Sequence, residues 1–454
     1  MLYLIIILHA AFMLRKNMLF CTTPAFVMGI LLLNLRPMVD KLFATHHFSA
    51  PTIVLIGTID LITWIPECIV LAISYAIQYQ SSRENSNNPD QVFHYLFGGI
   101  LIMLCMIVPI LSILSFYPVF FLRLVTKNTP ITSTTLTFFQ LRLFSCFLQC
   151  CIFCFRGFYA AHRNNRLFFS VIATSLLTHT LLTNLLLNGT VWLAPLGIQG
   201  LGLSHCFSTL LGLSIYLEQF SNNIEFRQIN LPPSTIYFSL LRMSIPLSIH
   251  GLVDHIGTTL IFFCTEYFFG LVPLASLHLI SSIQGIYPGA GFGLTALTEV
   301  TKAHATSPKK GQQTGRSILL AGISILGSIG IFTSILAPKI LQIAIPHNPA
   351  LQATTIWPLQ IMLASLGIHV GCQIMLKTLQ AIDQTIASVS INLLFVYGFR
   401  TPLLLMLSYF SSTSLATVLL ILTSEKLFKF SVMLLYWHKS SQTPNTSFVS
   451  TYTT

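Results

Sequence analysis

Charge is what this chain has least of. Charged side chains make up 8% of its 454 residues, against about 25% in a soluble domain, so it cannot cover itself with an ordinary water-facing surface. Acids are scarcest: 12 Asp and Glu stand against 23 Lys and Arg. There is no Gly-rich loop ending in Gly-Lys-Ser/Thr, which excludes an ATP-hydrolysing engine within the chain. Gly-x-Ser-x-Gly and His-Glu-x-x-His are both missing, so an enzyme is disfavoured. The 10 cysteines are scattered through apolar runs, as at Cys150, Cys151 and Cys154, without histidine partners at metal-ligand spacing. They read as small hydrophobes, and no metal or other cofactor is expected.

Apolar length is abundant. Hydrophobic residues make up 54% of the chain and the mean hydropathy is +0.77. Twelve runs are long enough to cross a bilayer core as helices. They lie near 18–44, 50–78, 93–117, 131–155, 167–188, 192–217, 237–262, 268–297, 317–338, 355–376, 386–409 and 414–437, each bounded by Pro, Gly, Asn or charge. The expected fold class is an all-α polytopic membrane protein, with 12 transmembrane helices in two pseudo-symmetric six-helix lobes. Its expected parts are an N-terminal lead-in (1–17), an N-lobe of spans 1–6 (18–221), a cytoplasmic linker (222–236), a C-lobe of spans 7–12 (237–437) and a disordered tail (438–454). The lead-in is too short to span, and its charges follow its apolar run, the reverse of a signal peptide.

The halves echo each other at a spacing of about 222 residues: Pro24 answers Pro246, Pro51 answers Pro273, and Arg156 answers Lys377. Such repeats mark transporters with a site between the lobes. Six spans is an even number, so the lobes share one orientation. With the N-terminus in the cytoplasm, inner loops collect Arg83, Arg163, Arg166, Arg227, Lys302, Lys309, Lys310 and Arg316, while the outer side holds only Lys41, Arg123, Lys127 and Lys339. This positive-inside bias accounts for the formal charge of +11 without a nucleic-acid partner. It places both termini in the cytoplasm, and the short loops favour a bacterial inner (plasma) membrane. The expected partners are the lipid bilayer and a small-molecule substrate, with the protein a monomer.

An ionised group at mid-bilayer costs about 2.5–3.5 kcal/mol on insertion scales, so acids within the spans are candidates for function. Asp40 in the first span either couples to an ion or pairs with Arg36 one turn earlier. Asp60 and Glu67 are seven residues apart and share one helix face, as a cavity wall or as interhelical glue. Asp254 has only His250 and His255 as nearby cation candidates, which suits reversible protonation. Glu266 holds roughly the place in the second half that Asp40 holds in the first, or lies at the outer interface. His369 is either a core histidine or a titrating partner of Asp254.

Several short motifs, in order along 18–437, carry a family resemblance. Met38-Val39-Asp40-Lys41-Leu42-Phe43 is similar to a Val-Asp-x-x-Phe/Met segment, Trp64-Ile65-Pro66 to a Trp-Leu-Pro bend, and Arg156-Gly157 to a Leu-Arg-Gly turn. Ala194-Pro195-Leu196-Gly197-Ile198-Gln199-Gly200, Ser244-Ile245-Pro246 and Tyr287-Pro288-Gly289-Ala290-Gly291-Phe292-Gly293 follow. Together they resemble the multidrug and toxic compound extrusion (MATE) family of the flippase superfamily. The resemblance implies a cation-coupled (H+ or Na+) antiporter that exports amphipathic or cationic organic compounds by alternating access. It assigns cation coupling to Asp40 and Asp254, and places Asn184 where some members carry a fifth-span Asp or Asn. The family's tenth-span aspartate is His369 here, and its second Leu-Arg-Gly turn has become Leu379-Gln380-Ala381. Losing that carboxylate weakens a sodium site, since hard cations take oxygen ligands, and makes proton coupling the simpler proposal. Two rivals remain open: a lipid-linked saccharide flippase using Arg36, Arg142 and Arg400, and a non-transporting scaffold whose polar residues only join helices.

Overall fold

The computed structural model describes residues 23–84, 89–127, 129–162, 164–189, 194–223, 231–285, 308–380, 385–409 and 414–442. In order, the helices are α1 (Thr23–His47), α2 (Ala50–Glu84), α3 (Pro89–Phe116), the short α4 (Pro118–Val125), α5 (Ser133–Ala161), α6 (Asn165–Asn188) and α7 (Ile198–Asn223). The second half contributes α8 (Ser234–Phe269), α9 (Leu271–Gly285), α10 (Pro308–Ala344), α11 (Pro349–Ala364), α12 (Leu366–Gln380), α13 (Thr385–Leu393), α14 (Thr401–Tyr409) and α15 (Leu415–Gln442). Among the described residues there is no strand.

Each of the 12 expected runs contains helix among its described residues. Among the described residues, eight helices are long and apolar enough to cross a membrane unaided, and α11 with α12, bent by 50° at Ser365, completes a ninth. The tenth and eleventh, α1 and α15, have the length but carry charges at mid-helix: Arg36, Asp40 and Lys41 in one, Glu425, Lys426 and Lys429 in the other. The twelfth, α9, is the described first part of the run expected at 268–297. Large apolar side chains such as Phe116, Leu177, Phe238, Ile335 and Leu435 project outward, as a surface bathed in lipid tails requires. The lead-in and most of the tail lie outside the described residues. Helix α15 runs to Gln442, five residues past the expected end of the last span at 437.

In the first half α2 packs on α5, α5 on α7, α7 on α6 and α6 on α1. In the second, α10 packs on α11 and α12, α12 on α15, and α13 on α8. The seam between halves is α2 against α8, where His255 Nε2 meets the Leu61 carbonyl at 2.8 Å. At one end three further contacts close the seam. Thr45 Oγ1 donates to Ala344 O (2.7 Å), the Lys127 amide donates to Glu266 Oε1 (2.8 Å), and the His46 and His347 rings lie 6.3 Å apart.

The Arg156-Gly157 motif has a packing reason. A Cβ at residue 157 would lie 2.3 Å from the Ser74 carbonyl oxygen of α2, so only glycine lets α5 and α2 approach this closely. The Arg156 guanidinium beside it covers the rings of Tyr75 and Phe168. Gly157→Ala is expected to destabilise the protein by about 1–3 kcal/mol, the usual cost of overpacking. A thermal unfolding midpoint equal to that of the unsubstituted protein would contradict this close approach.

Candidate functional site

Two buried charge clusters form, one in each half. In the first, Asp40 sits on α1, three residues after Pro37, whose missing N–H leaves the Leu33 carbonyl without its helical donor. The carboxylate is 1% exposed. Its Oδ1 lies 2.6 Å from His179 Nε2 of α6, and its Oδ2 lies 2.6 Å from His205 Nε2 of α7. The two imidazoles lie 4.3 Å apart, centroid to centroid.

The surrounding bonds set the protons. Arg142 Nη1 of α5 approaches His205 Nδ1 at 2.8 Å, and a guanidinium can only donate. His205 Nδ1 therefore accepts, and Nε2 carries the hydrogen donated to Asp40. His179 Nδ1 is buried and finds no partner, so its neutral Nε2–H form also donates to the carboxylate. A further proton can be taken by His179 at Nδ1, giving an imidazolium whose Nε2–H still donates to the Asp40 carboxylate, without moving a heavy atom. Arg142 Nη2 also donates to Asp60 Oδ1 at 2.8 Å, and Lys41 Nζ lies 3.8 Å from Asp60 Oδ2. Lys41 donates as well to Ser282 Oγ of α9, at 2.5 Å, which ties the cluster to the other half.

Arg36 is not the partner of Asp40 that their one-turn spacing allowed. Its Nη2 instead donates to α7, at His205 O (3.0 Å), Ser208 Oγ (2.5 Å) and Thr209 Oγ1 (2.9 Å). Glu67 shares a helix face with Asp60 as expected, but makes no hydrogen bond or ion pair to a described residue. It stays half-buried within Coulombic reach of Arg142 and Arg36. Asn184 does not join the cluster: it lies on the exposed face of α6, where its carbonyl accepts from Asn188 Nδ2 at 2.7 Å.

The second cluster surrounds Asp254 of α8, which has a fixed cation after all: Lys426 Nζ of α15 stands 3.6 Å from its Oδ1. Lys426 also lies 3.7 Å from Glu425 Oε1, Lys429 3.9 Å from the same oxygen, and Arg400 Nη1 donates to Glu425 Oε2 at 3.2 Å. Lys429 donates to Asn392 Oδ1, and Asn392 Nδ2 meets His250 Nδ1 at 3.3 Å. Arg400 ends a wide π-helical stretch, Leu394–Arg400, that joins α13 to α14. Pro402 explains the widening, because its ring excludes the ordinary helical bond at this point.

The remaining candidates lie apart from Asp254. His255 points across the seam to Leu61. His369 is a satisfied core histidine, its Nδ1 donating to the Ser365 carbonyl one turn earlier at 3.2 Å. Glu266 is buried at the closed end of the seam, beside a small pocket lined with Lys127, Phe263 and Tyr267, and does not reach either cluster.

Six residues went unread in the sequence: His179, His205, Asn392, Glu425, Lys426 and Lys429. Glu425 and the two lysines fall inside the run at 414–437, so the desolvation cost that singled out Asp40 applied equally to them. His179 and His205 are likewise polar side chains in apolar runs.

No family model and no curated protein sequence matches this chain. Solved structures do. An inward-facing multidrug resistance MATE family transporter of the MOP superfamily aligns at a TM-score of 0.71 and 10% identity, over 91% of this chain and 98% of the other. An outward-facing structure of such a transporter aligns at 0.71 and 13%, over 95% and 97%. A mutant of a Vibrio cholerae MATE transporter aligns at 0.72 and 14%, over 94% and 97%. The multi-pass helical architecture described above is therefore the fold of the MATE transporters of the MOP superfamily.

Proposed function

We propose that this protein is a proton-coupled antiporter that moves amphipathic organic molecules across a membrane by alternating access. The observation that carries the reading is the Asp40 carboxylate, buried and held at both oxygens by histidine nitrogens. Sodium coordination needs several free oxygen ligands, whereas here the carboxylate oxygens are already taken and Asp254 faces an ammonium. A proton needs no such cage. The similarity to structures in both inward- and outward-facing conformations supports two interconverting states.

The N-lobe cluster balances three acids (Asp40, Asp60 and Glu67) against three cations (Arg36, Lys41 and Arg142) when both histidines are neutral. An added proton leaves one positive charge in surplus. Lys41, shared between Asp60 and Ser282 of the other half, is then drawn toward Asp60 and loosens the seam. Binding of the proton thus differs between the two states, which is the condition for it to shift their balance. Both termini belong on the cytoplasmic side of an inner (plasma) membrane, with one chain sufficient for transport. Of the three arginines on which the flippase reading drew, Arg36 and Arg142 already bond partners within the N-lobe cluster.

The test is countermovement. Purified protein is reconstituted in liposomes with a trapped pH dye and offered a panel of amphipathic dyes of both charge signs. Proton movement should follow addition of a transported dye, and replacing sodium by choline should leave it unaltered. Dye flux that needs sodium and moves no protons would overturn the proposal.

A further inference from the structure

The two clusters differ in their charge balance. Among the described residues, the C-lobe cluster sets three cations (Arg400, Lys426 and Lys429) against only Asp254 and Glu425. With His250 and His369 neutral, one positive charge is left over in an apolar interior. An uncompensated buried charge is strongly destabilising, so the cluster favours an additional anion.

The bonding shows where compensation is missing. Lys426 reaches its two acids only at 3.6 and 3.7 Å, too far for hydrogen bonds. Arg400 spends Nη1 on Glu425, while its Nε and Nη2 are buried without an acceptor. Room for the guanidinium is built into the neighbouring helix: a Cβ at Gly257 would lie 2.2 Å from Arg400 Nη2. Arg400 and Lys429 are sealed at 2–3% exposure, whereas the Asp254 side chain is 33% exposed and that of Lys426 10%. The cluster therefore opens at the Asp254–Lys426 pair.

We propose that this cluster is an anion-binding site, entered past Asp254, that takes the carboxylate, sulfonate or phosphate group of an amphipathic molecule at Lys426. Asp254 is the internal anion that the ligand displaces, and Arg400 and Lys429 supply the positive field behind it. The transported molecule is then an organic anion or zwitterion rather than the simple cation that the resemblance implies. The inference rests on the transporter reading only for the fate of the bound molecule, since binding itself requires no gradient.

The test is equilibrium binding to the full-length protein in a neutral detergent without lipid, read by fluorescence anisotropy. Carboxyfluorescein and a cationic rhodamine share one xanthene frame and carry opposite charge. The anionic dye should bind, Lys426→Gln should weaken it by roughly tenfold or more, and Lys426→Arg should keep it within about threefold. Asp254→Asn, which removes the competing anion, should tighten binding, an outcome that a merely structural role for Asp254 does not produce. Phosphatidylglycerol that displaces the dye identifies a lipid headgroup as the occupant; dye that stays bound identifies a soluble anion. Preference for the rhodamine would overturn the proposal, as would unchanged carboxyfluorescein binding in a monodisperse Lys426→Gln variant. Either failure leaves the proton-countermovement result standing, so the two readings fail separately.

Discussion

Glu425→Gln is expected to lower the stability of the folded protein by about 3–5 kcal/mol, the cost of breaking a buried ion pair by removing one partner. Glutamine is nearly the same size, so no cavity forms and the whole effect is electrostatic. Glu425 is 0% exposed and lies within ion-pair distance of Arg400, Lys426 and Lys429. Without its charge those three cations face Asp254 alone. The measurement is the thermal unfolding midpoint in detergent, followed by size exclusion. Pairing Glu425→Gln with Lys429→Met should restore part of the loss, because it removes a cation together with its acid. If Glu425→Gln unfolds at the same temperature as the unsubstituted protein, the C-lobe cluster is not held together by charge.

The second large effect concerns transport. Asp40→Asn is expected to reduce proton-dependent flux by roughly 5–150-fold, the range that typical coupling free energies span, while dye binding in detergent changes little. The amide keeps the shape of the side chain but supplies no negative charge to hold a protonated His179, so neither state of the transporter is favoured by acid. Stability should fall less than in Glu425→Gln, because His179 can change tautomer and accept from the amide nitrogen while His205 still donates to the amide oxygen. Full proton-dependent flux in Asp40→Asn would remove the N-lobe cluster from the mechanism.

What the sequence made legible follows from the solvent. A bilayer forces each crossing segment to be helical and apolar over about 20 residues, so all 12 runs could be drawn from hydropathy alone. The same argument singled out Asp40 and Asp254, because an acid there is conspicuous. Partners were illegible. Asp40 meets His179 and His205 across sequence separations of 139 and 165 residues, and nothing in the local pattern of α6 or α7 says which neighbour their histidines face. Proximity along the chain even misled: Arg36, one turn from Asp40, turns to α7, and His255, adjacent to Asp254, turns to α2. Lys426 was a different case. Its run already held Glu425 and Lys429, three charges too many for a helix that only faces lipid, a signal that was present in the pattern but went unread.

Asp40 and Lys41 are consecutive on one helix, and about 100° of helical turn separates their side chains. One grips the imidazoles of its own bundle and the other grips Ser282 of the opposite bundle. A small roll of α1 about its long axis therefore withdraws both hands together. Under the proposed coupling, such a roll would act like a cam on a shaft, turning a proton taken up beside Asp40 into release at Lys41 with no relay of residues across the molecule.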